Sequence, residues 1–154
     1  MGKTIIIYAS KHHGNTYRLL EAIAKKHEVV LLNAGEQNRR DLTEFDLIGF
    51  ASGIDFGKFY SSVEVFLKDN LPDNKKVFFL YTCAKTSSRF TDSMRREALK
   101  RGAVLLGEYG CRGYNTYGPW KLLGGMNKNH PSEEELENAV HFYERILGKG
   151  SLNN

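Results

Sequence analysis

Five short apolar runs, each closed by small or polar residues, constrain this chain more than any other feature. They are Ile5 to Ala9, Val29 to Leu32, Phe45 to Ala51, Val77 to Tyr81 and Val104 to Cys111. In Ile5 to Ala9 the apolar character is continuous rather than alternating, which marks a strand covered on both faces. Stretches of helical periodicity separate them. From Thr16 to about Lys26, the side chains of Leu19, Leu20, Ile23 and Ala24 fall on one face. Val63, Phe66 and Leu67 suggest a short helix, and a charged helix from Phe90 to Lys100 stops at Arg101-Gly102, where glycine serves as a C-cap. The last helix opens with Ser132 as N-cap and Glu135, three residues on, as its capping-box partner. Leu136, Val140, Tyr143 and Leu147 form its expected buried stripe. Strands alternating with helices require right-handed crossovers, hence an α/β fold whose five-stranded parallel sheet is covered on both sides.

The 154 residues suffice for one domain, expected over 1–148 with a short Gly-Ser-Asn tail at 149–154. One region breaks the rhythm. Residues 113–130, "GYNTYGPWKLLGGMNKNH", form a long insertion in which Tyr114, Tyr117, Trp120, Leu122 and Leu123 argue for packing rather than disorder.

No apolar run approaches the roughly 20 residues that span a bilayer, so no membrane insertion is expected. The net charge of +4 is spread along the chain among acidic residues, which gives no nucleic-acid footprint. Two cysteines, Cys83 and Cys111, are too few for a disulfide scaffold and lack zinc-site spacing. A cytoplasmic location and no metal ligand set follow as expectations. A redox pair of these cysteines is conceivable, but two separately packed small hydrophobes are the simpler reading.

The loop after the first strand, "YASKHHGNT", carries the chemistry. Ser10, Lys11, His12, His13, Gly14, Asn15 and Thr16 stand between a strand end and a helix start, where free N–H groups and the positive end of the helix dipole receive an anion. The same Asn15-Thr16 pair would also serve as an ordinary helix cap, and the histidines as exposed loop residues. There is no G-x-x-x-x-G-K-[ST] and no G-x-G-x-x-G, which sets aside a P-loop and a dinucleotide site. A receiver domain would need an acidic pair after the first strand, where this chain has Ser10.

This loop resembles the phosphate loop of flavodoxins, commonly [ST]-x-T-G-N-T, with Gly14-Asn15-Thr16 in place and Lys11, His12 and His13 replacing the usual hydroxyl residues. "ASGIDFGKFYSSVEVFL" resembles the flavin-side loop of flavodoxin-like protoporphyrinogen oxidases, through Ile54, Phe56, Gly57 and Phe59. "YTCAKT" falls where flavodoxins line the flavin's other side, and "CRGYNTYGPWKLLGGMNKNHP" is similar to the segment after the last strand in bacterial members of the family. The resemblance implies a flavodoxin-like three-layer sandwich with strand order 2-1-3-4-5, and FMN as cofactor. It places the phosphate on residues 10–16, the ring against Gly53, Ile54, Asp55, Phe56 and Gly57, and the pyrimidine edge on Thr82, Cys83 and Ala84. The residue types suit that assignment. A flat apolar ring wants aromatic and branched neighbours, which Ile54 and Phe56 supply, with Phe59 or Tyr60 beside them. Asp55 would oppose formation of a reduced anion and is expected to face solvent. Gly57 and Gly53 are candidates for a peptide that reorients when the flavin is reduced.

The resemblance implies an electron carrier between redox partner proteins, with no catalytic residue of its own. Two alternatives remain open: an FMN-dependent oxidoreductase acting on a quinone or porphyrinogen, and a non-catalytic FMN-binding module that docks a partner. Flavodoxins are commonly acidic, and this chain is basic.

Overall fold

A computed structural model of the protein describes residues 2–11, 14–113 and 129–152, the last three in backbone only. Among the described residues, six strands and four α-helices follow one another as β1 (Thr4–Ala9), α1 (Asn15–Ala24), β2 (Val30–Asn33), β3 (Leu47–Asp55), β4 (Lys58–Phe59), α2 (Ser61–Asn70), β5 (Lys76–Cys83), α3 (Asp92–Leu99), β6 (Val104–Arg112) and α4 (Glu133–Leu152). A turn of 3-10 helix at Ser88–Thr91 leads into α3. The parallel strands are ordered β2-β1-β3-β5-β6, and β4 pairs only with β3. This is the order 2-1-3-4-5 that the resemblance implies, with a two-residue antiparallel strand added. No helix among the described residues is long and apolar enough to cross a membrane.

Two apolar layers flank the sheet. On one side Ile5, Ile7, Phe50, Phe79 and Tyr81 pack with Phe66 and Leu67 of α2 and Met94 of α3. On the other, Ile6, Phe78 and Leu80 pack with Leu20 and Ile23 of α1 and Phe142, Tyr143 and Ile146 of α4. β3 lies at the centre and is buried from Leu47 to Gly53, as its continuous apolar run requires. Phe78 lies so close to Gly49 that a Cβ there would meet its ring at 2.4 Å.

The local signals at helix ends act as their sequence suggests. The Ser132 N–H donates to Glu135 Oε1 at 3.0 Å and the Glu135 N–H to Ser132 Oγ at 3.2 Å, a complete capping box. Gly102 adopts φ +68, and the N–H groups of Gly102 and Ala103 close α3 on Leu99 and Ala98. The stripe of α4 is wider than expected: Ala139, Phe142 and Ile146 are buried with Val140 and Tyr143, whereas Leu136 and Leu147 are only half-buried. The helix is covered by both α1 and β6, so its apolar arc spans more than one row of side chains. α4 continues to Leu152, into the stretch expected as tail.

Candidate functional site

The carboxyl ends of β1, β3, β5 and β6 lie side by side, with Ala9 opposite Ser52, Gly53 opposite Thr82, and Thr82 opposite Cys111. Three of the segments singled out in the sequence therefore meet along one edge. The first turn of α1 begins at Asn15, after Gly14 in a left-handed conformation at φ +66, and contains no acidic residue. Such a helix start favours an anion. Among the described residues, chain neighbours aside, no atom lies within 4 Å of the position a Gly14 Cβ would take. Ser10 accepts a long hydrogen bond from the Tyr17 N–H, 3.4 Å, across the loop. Gly14, not Asn15 or Thr16, occupies the N-cap position. The Thr16 hydroxyl turns inward, only 1% exposed, to the Thr82 hydroxyl at 2.8 Å. His12 and His13 lie outside the described residues, as does 114–128 with Tyr114, Tyr117, Trp120, Leu122 and Leu123.

The second segment is a hairpin. Ile54 pairs with Phe59 and Asp55 with Lys58, leaving Phe56 and Gly57 as the two turn residues. Both have positive φ, +51 and +76, the pattern of a type I′ turn. Glycine adopts that conformation freely, whereas a phenylalanine there is strained. Phe56 is nevertheless 91% exposed at the tip, with Asp55 beside it also in solvent. Phe59 faces the other way, edge-on to Phe79 in the core at 6.2 Å. The base of the hairpin is tied by Ser52, whose buried hydroxyl accepts the Tyr60 N–H at 2.9 Å and donates to the Gly53 carbonyl. The Tyr60 hydroxyl lies 2.4 Å from where a Gly53 Cβ would stand, so close packing explains that glycine. Gly57, with φ +76 and nothing near its Cβ position, is the freer of the two to reorient. Lys11 reaches across from the first loop, its Nζ 4.6 Å from the centre of the Tyr60 ring.

Thr82 and Cys83 are the last residues of β5 rather than part of the loop, and Ala84 follows half-buried. Cys83 packs in the layer beneath α2 and α3, while Cys111 packs with Leu19 and Ala139 on the opposite face. The Cys83 thiol donates to the Cys111 carbonyl at 3.6 Å. Burial pushes the Cys83 thiol up to about 12 and the Cys111 thiol up as well, and both cysteines are free. The two separately packed hydrophobes are what the fold contains.

Beyond β6, Gly113 donates to the Cys83 carbonyl at 2.9 Å. A Cβ on Gly113 would meet the Asn15 side chain at 2.6 Å, so the root of the 113–130 insertion rests on the first turn of α1. Glu135 joins the two ends of that insertion: its carboxylate bonds the His130 ring and accepts the Arg112 N–H at 3.2 Å. The sequence offers Tyr60 as a neighbour of the ring and Glu135 as a capping residue, but nothing in it points to the roles of Ser52 and Gly113.

A shallow concavity of about 510 Å3, lined by Arg40, Asp41, Thr43, Asp69 and Asn70 among others, lies at the opposite edge, before β3 and β5 begin. Ligands of open parallel sheets bind at the carboxyl edge instead.

Residues 5–116 match the flavodoxin domain family. The chain belongs to the flavodoxin family. An uncharacterized protein of Methanocaldococcus jannaschii is 39% identical over 147 residues, covering 94% of this chain and 98% of that protein. Among solved structures, the flavodoxin-like WrbA-like protein of Agrobacterium tumefaciens superposes with a TM-score of 0.71 at 16% identity, over 100% of both chains. A flavoprotein of Lactobacillus acidophilus in complex with FMN gives 0.56 at 18% identity, over 71% of this chain and 93% of that one. At such identities the structures establish the shared flavodoxin fold.

Proposed function

We propose that this flavodoxin-family protein binds FMN at the carboxyl edge of its sheet and carries electrons between redox partner proteins. The observation that carries the reading is the pairing of two features on that edge. One is a helix start free of acidic residues behind Gly14; the other is a hairpin that holds Phe56 in solvent at positive φ. A strained, exposed aromatic persists where function needs it. The FMN found in the Lactobacillus flavoprotein supports the choice of flavin.

Within this reading the residues divide the ligand. Ser10, Gly14, Asn15 and Thr16, with His12 and His13, hold the phosphate. Ile54, Phe56 and Gly57 cover the ring, and the backbone of Thr82, Cys83 and Ala84 meets its polar edge. When bound, FMN supplies one- and two-electron redox chemistry. The protein orients it and leaves the hairpin side open to a partner.

The test is reconstitution, heat release and chromatography of the flavin, followed by photoreduction. FMN uptake with reduction in separable one-electron steps is expected. FAD, or no uptake, would sink the cofactor assignment; rapid two-electron turnover with a quinone or porphyrinogen would make the protein an oxidoreductase.

A further inference from the structure

We propose that Lys11 sets the reduction potential of the bound flavin instead of holding its phosphate, an inference that rests on the FMN reading above. The lysine belongs by sequence to the phosphate loop, yet its ammonium stands over Tyr60, 4.6 Å from the ring centre. Tyr60 is a fixed platform. It is 6% exposed, its N–H is held by Ser52, and its hydroxyl closes on Gly53. Lys11 therefore joins the base of the β3–β4 hairpin, where the ring is expected, rather than the start of α1 behind Gly14.

The charges on the hairpin sharpen the consequence. Asp55 faces Lys58 across the two strands, so the hairpin's own acid and base offset one another. Lys11 adds a cation to that corner that the hairpin pair does not offset. Two electrons and one proton, delivered by a redox partner, convert the neutral oxidised ring into a reduced ring of one negative charge. A fixed cation nearby favours the charged product over the neutral reactant. The basic balance of the chain thus has a local meaning at the cofactor.

Equilibrium titration with dithionite against reference dyes tests this, on protein loaded with FMN and, separately, with riboflavin. Lys11→Gln should shift the balance toward oxidised flavin about tenfold, roughly 30 mV for a two-electron couple. The shift should be alike for both flavins, since riboflavin lacks the phosphate, and Lys11→Arg should restore the potential. An unmoved potential in loaded protein would overturn the proposal alone. So would a loss of FMN affinity with riboflavin affinity unchanged, which would return Lys11 to the phosphate. If the unmodified chain takes up neither flavin, the FMN reading falls and this inference with it.

Discussion

The hydroxyl oxygens of Thr16 and Thr82 lie 2.8 Å apart in a buried hydrogen bond that joins the first turn of α1 to the end of β5. The bond connects the anion-receiving loop to the strand beneath the expected ring. Among the described residues, each threonine hydroxyl finds its partner in the other.

Removing both hydroxyls should cost less than the two single removals added together. Thr82→Val leaves the Thr16 oxygen buried and unpaired, a penalty of about 1–3 kcal/mol. Thr16→Val with Thr82→Val should lose less than the sum of the single changes. Urea midpoints at constant slope, combined in a double-mutant cycle, measure the coupling. Additive losses would mean that the bond contributes nothing.

A hydroxyl can accept one bond and donate another. While accepting from Thr82, Thr16 keeps a proton for a phosphate oxygen. Thr16→Ala should therefore weaken FMN by about 1.5–3 kcal/mol and riboflavin by less. Calorimetric titration with the two ligands decides the matter, and equal losses would restrict Thr16 to holding the fold together.

The hairpin tip should show stability and binding in opposition. Asparagine tolerates the left-handed conformation that Phe56 adopts at φ +51. Phe56→Asn should stabilise the fold by about 1 kcal/mol, a rise of roughly 2–4 °C in Tm. The same change should weaken flavin binding, because the exposed aromatic face is gone. Differential scanning calorimetry and flavin fluorescence titration read the two effects; unchanged binding would remove Phe56 from the site.

Glu135 should make stability fall in acid. Burial pushes its carboxyl up, but the His130 ring and the N–H groups of Ser132 and Arg112 outweigh this and leave it below its ordinary value. A group depressed on folding stabilises fully above its unfolded value, about 4.5, and loses that contribution as pH falls through the folded one. Urea unfolding between pH 3 and 7 should show that slope in the native chain and a shallower one in Glu135→Gln. Identical slopes would assign the acid sensitivity to other carboxyls.

Oxidation should leave the cysteines unlinked. Cys83 and Cys111 lie on opposite faces of the sheet, so no disulfide geometry is available to them. Treatment with a mild thiol oxidant should give no intramolecular link by mass spectrometry, and thiol reagents should label both only on unfolding. A rapidly formed bridge in the native state would contradict the packing.

The features legible in the sequence are local and periodic. The buried strands, the amphipathic helices, the Ser132–Glu135 capping box and the Gly102 stop each rest on contacts a few residues apart, so composition and spacing suffice to read them. The Gly14-Asn15-Thr16 loop was legible for the same reason. Tertiary structure decided the rest through strand register. Pairing Thr82 with Cys111 puts those two on one face and Cys83 on the other, a distinction of one residue that no motif encodes. Register also brings Thr16 to Thr82 across 66 residues of chain and seats Tyr60 on Gly53. The carboxylate that caps α4 reaches Arg112 by the same means. Such contacts depend on which strands lie side by side, and apolar runs of similar composition do not specify their neighbours until the sheet has formed.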